Sequence, residues 1–151
     1  GKLSPNTINL PANKIQEIEI FSVDMIDFDL NVIKEIVTKI PQEILFIVNG
    51  ELDIMYYLDQ FISKKGADKL QLNGLSIDDV RDNFIRQLLD ITDISKPLKQ
   101  QVEKIQLLHE LESEIDRINN QIKRTVQINK KQLLARERYV LEQRLAKVKG
   151  E

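Results

Sequence analysis

The chain has 151 residues, with 22 Lys and Arg against 24 Asp and Glu, a formal net charge of −2 and 42% hydrophobic residues. This balance suits a folded domain with an appendage, not a disordered or collagen-like chain. The lack of Cys excludes a disulfide framework and a thiolate zinc site, and a single His excludes a multi-histidine metal centre. No apolar run reaches the roughly 18 residues that a membrane helix needs. No basic-then-apolar leader opens the chain, so the expected compartment is the cytoplasm, without a membrane partner.

Charge divides the sequence. Residues 1–95 carry 9 basic and 16 acidic side chains, net −7, whereas residues 96–151 carry 13 and 8, net +5. We read an α+β core domain over 1–95 and a helical arm over 96–151. The four prolines, Pro5, Pro11, Pro41 and Pro97, fall at expected boundaries.

Residues 14–23 alternate. Ile18 and Ile20 share one face and Glu17, Glu19 and Phe21 the other, which predicts a strand with one wet face. Asp29 or Asn31 can cap a helix running to Ile40, with Leu30, Ile33, Ile36, Val37 and Ile40 at helical spacing. Pro41 ends it. Residues 44–48 form an apolar run, as in a strand covered on both faces. Asn49-Gly50 predicts a two-residue type I′ hairpin turn, because both residues tolerate positive φ. The return strand sets Leu52, Ile54, Tyr56, Leu58 and Ile62 on one face. A second reversal is expected at Gly66-Ala67-Asp68, then a strand over 69–73 ended by Gly74. Ser76 caps the next helix, with Asp79 three residues on. Its expected buried stripe is Leu75, Val80, Phe84, Ile85, Leu88, Leu89 and Ile91. The predicted fold is a small mixed sheet, β-α-β-β-β-α, with a C-terminal helical coiled-coil arm.

In the arm, Leu108, Leu111, Ile115, Ile118 and Ile122 recur at spacings of 3 and 4, a heptad seam and a candidate helix interface. Leu134, Leu141, Leu145 and Val148 form a second seam out of register with the first. A break within 123–130 and an antiparallel hairpin explain the slip. A rival stripe, Ile122, Val126, Leu133 and Val140, would suit one bent helix. Charge favours the hairpin: residues 99–122 are net −2 and residues 123–149 net +7. The expected partner is another protein or a second copy, held through the coiled coil.

The candidate chemistry is sparse. Glu17 and Glu19 could serve as an acid/base pair or hold a hard cation, but alternation makes them a solvated strand face. The carboxylate-x-lysine of metal-dependent nucleases is missing around Glu51 and Asp53. His109 falls on the solvent side of the seam without a positioned partner. Tyr56 is expected in the core and Tyr57 on the surface, so base stacking has little support. No Gly-rich phosphate loop exists. No catalytic, cofactor or metal residue is assigned. Nine basic residues between Lys123 and Lys149 form the strongest cluster; Lys130, Lys131, Arg136 and Arg138 are the candidate DNA contacts.

The opening Lys2-Leu3-Ser4-Pro5-Asn6-Thr7-Ile8-Asn9-Leu10-Pro11-Ala12 resembles a functionally uncharacterised bacterial and archaeal family with a K-L-S-P-x-T-I-N-[IL]-P-A stretch. The strand residues Gln16 to Phe21, Pro41-x-x-Ile44-Leu45-Phe46, Gly74-Leu75-Ser76-Ile77-Asp78 and Gln127-Ile128-Asn129-Lys130-Lys131 are similar to its pattern. The resemblance implies a further segment before the motif and a gene neighbourhood of restriction-type DNA methyltransferases and helicases. It carries over no catalytic residue. The expected function is that of a non-catalytic accessory or assembly protein in DNA modification or phage defence. The alternatives are a degenerate metal-dependent nuclease using Glu17, Glu19 or Asp53, and a purely structural coiled-coil module.

Overall fold

Apolar alternation and β-branched runs build five strands: β1 (Leu3–Ile8), β2 (Ile18–Val23), β3 (Glu43–Val48), β4 (Leu52–Tyr57) and β5 (Gln60–Lys65). The structure, a computed structural model, describes the backbone of residues 3–8 and, in full, residues 14–66 and 70–151. The strands form one sheet in the order β1-β2-β3-β4-β5. β2 and β3 are parallel and joined through α1 (Leu30–Lys39); the other pairs are antiparallel. With α2 (Ile77–Leu88) and two long C-terminal helices, the fold is α+β.

The caps form at the expected residues. The Asp29 carboxylate accepts from the N–H of Asn31 at 3.0 Å, and the Ser76 hydroxyl from the N–H of Asp79 at 3.1 Å. Asp79 in turn accepts from the N–H of Leu75 at 3.3 Å, a capping box displaced by one residue. α1 sets Ile33 on Phe21, Val23, Phe46, Val48 and Ile54, which the strand register places on one face. α2 covers the opposite face, where Leu45, Met55 and Ile62 are buried.

Several expectations are corrected. Pro5 lies within β1, opposite Phe21, and not at a boundary. β1 is an edge strand, where a residue without an N–H is tolerated. β2 has no wet face: Ile18 is buried on one side and Phe21 and Val23 on the other. Asn49 and Gly50 have the positive φ of a type I′ turn, and the Glu51 N–H donates to Val48 O at 3.0 Å. Val48 nevertheless pairs with Leu52, so the loop has three residues, not two. The Asn49 amide also clamps the loop after β2, accepting from the Met25 N–H at 2.7 Å and donating to its carbonyl at 2.8 Å.

The second reversal is at Leu58-Asp59, with φ +49° and +59°, and Tyr57 pairs with Gln60. Of the expected Gly66-Ala67-Asp68 reversal, Ala67 and Asp68 lie outside the described residues, as does Lys69 of the strand expected after it. The tight turn puts Ile62 opposite Met55, on the other face from Leu52 and Ile54. Residues 70–73 are not a strand. The Gln87 side chain accepts from the Gln71 N–H at 2.8 Å and donates to its carbonyl at 2.9 Å, while Asn83 donates to Asn73 O at 2.6 Å. These amides of α2 take the place of a neighbouring strand. Gly74, at φ +150°, passes so close to α2 that an added Cβ would lie 2.7 Å from the Asp79 Cβ. Leu75 is 90% exposed and outside the buried stripe.

The chain divides into two compact units, Gly1–Ile94 and Ser95–Glu151. The second is a helical hairpin of α3 (Leu98–Arg124) and α4 (Ile128–Lys149). The break at residues 125–127 needs neither Gly nor Pro, because Thr125 and Gln127 take extended conformations that any residue adopts. The Thr125 hydroxyl donates to Gln121 O at 2.6 Å and closes the last turn of α3. Among the described residues no helix is long and apolar enough to cross a membrane.

Candidate nucleic-acid interface at the hairpin tip

The two heptad stripes meet inside the hairpin. Leu111, Ile115 and Ile118 of α3 are buried, Leu108 and Ile122 half-buried. On α4, Val148 is buried and Leu134, Leu141 and Leu145 half-buried. Polar pairs record the antiparallel register: Arg138 Nη1 donates to Asn119 Oδ1 at 3.0 Å, Lys149 lies 3.8 Å from Glu112, and the Lys104 ammonium reaches the Glu151 carbonyl. The expected interface residues thus serve an intramolecular seam. Of the rival stripe, Ile122 is half-buried with the first seam, whereas Val126, Leu133 and Val140 are 89%, 58% and 64% exposed.

The bend brings together basic residues from both helices. Lys123 and Arg124 close α3, and Lys130 and Lys131 open α4, with Arg136 about one and a half turns further on. All five are exposed, and none forms an ion pair with a described residue. Arg138 differs from the other three candidate contacts: it is half-buried, bound to Asn119 and 3.8 Å from Glu142. Lys123 and Arg124 suit the C-terminal end of a helix. Lys130 and Lys131 do not suit the N-terminal end, whose dipole favours acidic groups by about 0.3–1 kcal/mol each. The Gln127 cap offers no side-chain hydrogen bond to the free N–H groups there.

The chain matches no protein-family model, no curated protein and no solved structure. Its own residues therefore carry the functional argument.

The rival carboxylates do not converge. Glu19 sits beside Ile44 and Asp53 beside Ile47, positions of opposite parity in β3, so the two lie on opposite sheet faces. Among the described residues no group of three His, Asp or Glu could hold a metal ion. His109 is exposed on α3.

A polar cluster on the α2 side of the sheet escaped the sequence reading. Arg81 Nη1 meets Glu43 Oε1 at 2.8 Å, its Nε meets Asp82 Oδ1 at 2.7 Å, and its guanidinium lies 5.0 Å from the Tyr57 ring centre. Burial raises the Glu43 carboxyl above its ordinary range, against the pull of Arg81. Tyr57 is thus half-buried under a cation, while Tyr56 is half-buried and donates to Asp59 at 3.0 Å. Nearby, Asp78 accepts from the N–H groups of Lys14 and Ile15, fixing the entry to β2. Only spacing across 38 residues links Glu43 to Arg81, and no local pattern reveals it. Each charge here has a partner, which fits a structural cross-brace.

Proposed function

We propose that the chain is a non-catalytic accessory or assembly protein whose hairpin tip contacts nucleic-acid phosphates. The observation that carries this reading is the set of five exposed cations, Lys123, Arg124, Lys130, Lys131 and Arg136, none in an ion pair with a described residue, at one end of the hairpin. Charges placed for stability alone would be paired, as Arg138 and Lys149 are, or would complement the helix dipole, as Lys123 and Arg124 do; Lys130, Lys131 and Arg136 do neither. Phosphate contacts position a protein on a duplex without reading bases. The setting in DNA modification or phage defence rests on the resemblance of the opening motif. A protein partner would meet the outward residues Tyr139 and Val140, since the inner seam is occupied.

Fluorescence anisotropy on oligonucleotides tests the reading. If three or four phosphates are met, log affinity falls against log salt with a slope of about −3 to −4. Changing Lys130, Lys131, Arg136 and Arg138 to Gln should flatten that slope and weaken binding to unrelated sequences equally, with the three unpaired residues carrying most of the loss. Absence of binding at low salt would return the cluster to a solvated helix face and favour a purely structural coiled-coil module.

A further inference from the structure

Between the two helix ends at the bend lies a cleft of about 430 Å³, lined by Gln121, Arg124, Lys130, Leu133, Leu134 and Glu137. That volume is within the roughly 300–1,000 Å³ of small-molecule sites. Its chemistry is mixed in a particular way. Arg124 and Lys130 supply two cations with no ion pair to a described residue. Leu133, 58% exposed, and the half-buried Leu134 supply an apolar surface beside them. The Gln121 amide and Glu137 carboxylate supply a donor, an acceptor and a further acceptor at the margin. A stacked duplex offers phosphates to a surface but keeps its bases inside, and so leaves an apolar concavity empty.

We propose that this cleft is a subsite for one unstacked nucleotide of a nucleic-acid strand, such as the end of a strand or a single-stranded overhang. Arg124 and Lys130 hold its phosphate, and the base lies against Leu133 and Leu134. The inference rests on the proposed phosphate-contacting tip and gives it a ligand class: unpaired strand, in preference to closed duplex. The aliphatic floor makes this contact indifferent to base identity, since every base has an apolar face.

The test uses the full chain and three labelled probes with equal numbers of phosphates: a single strand, a blunt duplex and a duplex with a short overhang. The single strand and the overhang should bind about tenfold more tightly than the blunt duplex. Leu133→Ser, at an exposed position that leaves the inner seam intact, should remove most of that preference without changing the salt slope. Arg124→Gln with Lys130→Gln should weaken all three probes and flatten the slope. Equal binding of the three probes, or a preference unmoved by Leu133→Ser, would overturn the nucleotide subsite and leave the phosphate-contacting tip standing. No binding of any probe at low salt would overturn both. Circular dichroism of each variant separates loss of contact from loss of the hairpin.

Discussion

The two units of this chain bury their apolar side chains by different geometries and dispose of their charges in opposite ways. In the first, the sheet is covered on both faces, and Ile18, Ile33, Phe46, Met55, Val80 and Ile85 are wholly enclosed. Its Arg81 is tied to two carboxylates and an aromatic ring. In the second, α3 and α4 meet along one stripe, α4 contributes a single buried residue, Val148, and the exposed basic residues at the bend form no ion pair with a described residue. A two-sided sheet can specify a fold and spend its polar groups on bracing it. A hairpin leaves most of its surface free for binding.

The largest expected effect probes the depth of the first core. Phe46 is 0% exposed, packs edge-on to Phe21 with ring centres 6.0 Å apart, and touches the α1 side of the sheet. Phe46→Ala should destabilise this unit by about 3–5 kcal/mol. Ile118 is the matching position in the hairpin, 1% exposed. Ile118→Ala should cost about 2–3 kcal/mol, at the lower end for core truncations, because the single facing helix can settle into the gap. Segment-resolved hydrogen exchange in rising urea reads the two losses separately. Equal losses would break the contrast in core depth.

The same contrast governs what could be read in advance. The hairpin was legible because its heptad slip and charge asymmetry repeat over dozens of residues. The strand-helix-strand order of β2, α1 and β3 and both helix caps were legible through the apolar run at 44–48, Asp29 and Ser76, whereas the parallel pairing of the two strands was not assigned. The errors lie where one residue does what local propensity does not announce. Leu58 and Asp59 adopt positive φ without a glycine, and the Gln87 amide replaces a strand partner for residue 71. Pro5 signals a boundary by its ring, yet an edge ladder accepts it. Of the candidate contacts, Lys130, Lys131 and Arg136 are exposed, as expected, whereas Arg138 pairs with a residue 19 positions away, a contact set by tertiary structure.

The next effect tests whether the first unit's charges are braces. Arg81→Met leaves Glu43, with 29% of its side chain exposed, without its cation, and should cost about 1–3 kcal/mol. Adding Glu43→Gln should recover much of this, since the neutral amide no longer needs a counter-charge. A double variant no more stable than Arg81→Met would assign the loss to the Tyr57 and Asp82 contacts instead.

At the hairpin tip, removing charge should help stability. Lys130→Glu and Lys131→Glu place acids in the opening of α4 and should each raise stability by about 0.3–1 kcal/mol. The same changes should abolish nucleic-acid binding. A variant that melts higher but no longer binds would identify the lysines as residues kept for contact. Loss of stability together with binding would make them structural after all and erase the contrast between the units.

The smallest effect concerns Asp53, whose carboxyl burial raises above its ordinary 3.8. Across the ladder lies Lys64, but its ammonium is bound to Asp90. Because the folded chain holds the Asp53 proton more tightly than the unfolded chain, the group favours folding at pH below about 3.8 and loses that contribution as pH rises through the higher folded value. At neutral pH the ionised carboxylate is therefore a slight liability. Asp53→Asn should stabilise the first unit at pH 7 by no more than a few tenths of a kcal/mol, since solvent still screens the half-exposed group. The gain should fade on acidification and vanish once the parent carboxyl is protonated. Urea midpoints of parent and variant across this range read the difference directly. A variant less stable at pH 7, or a gain that persists in acid, would mean that Asp53 makes a favourable contact as an anion, and the first unit's interior would then be braced more widely than the Arg81 cluster alone.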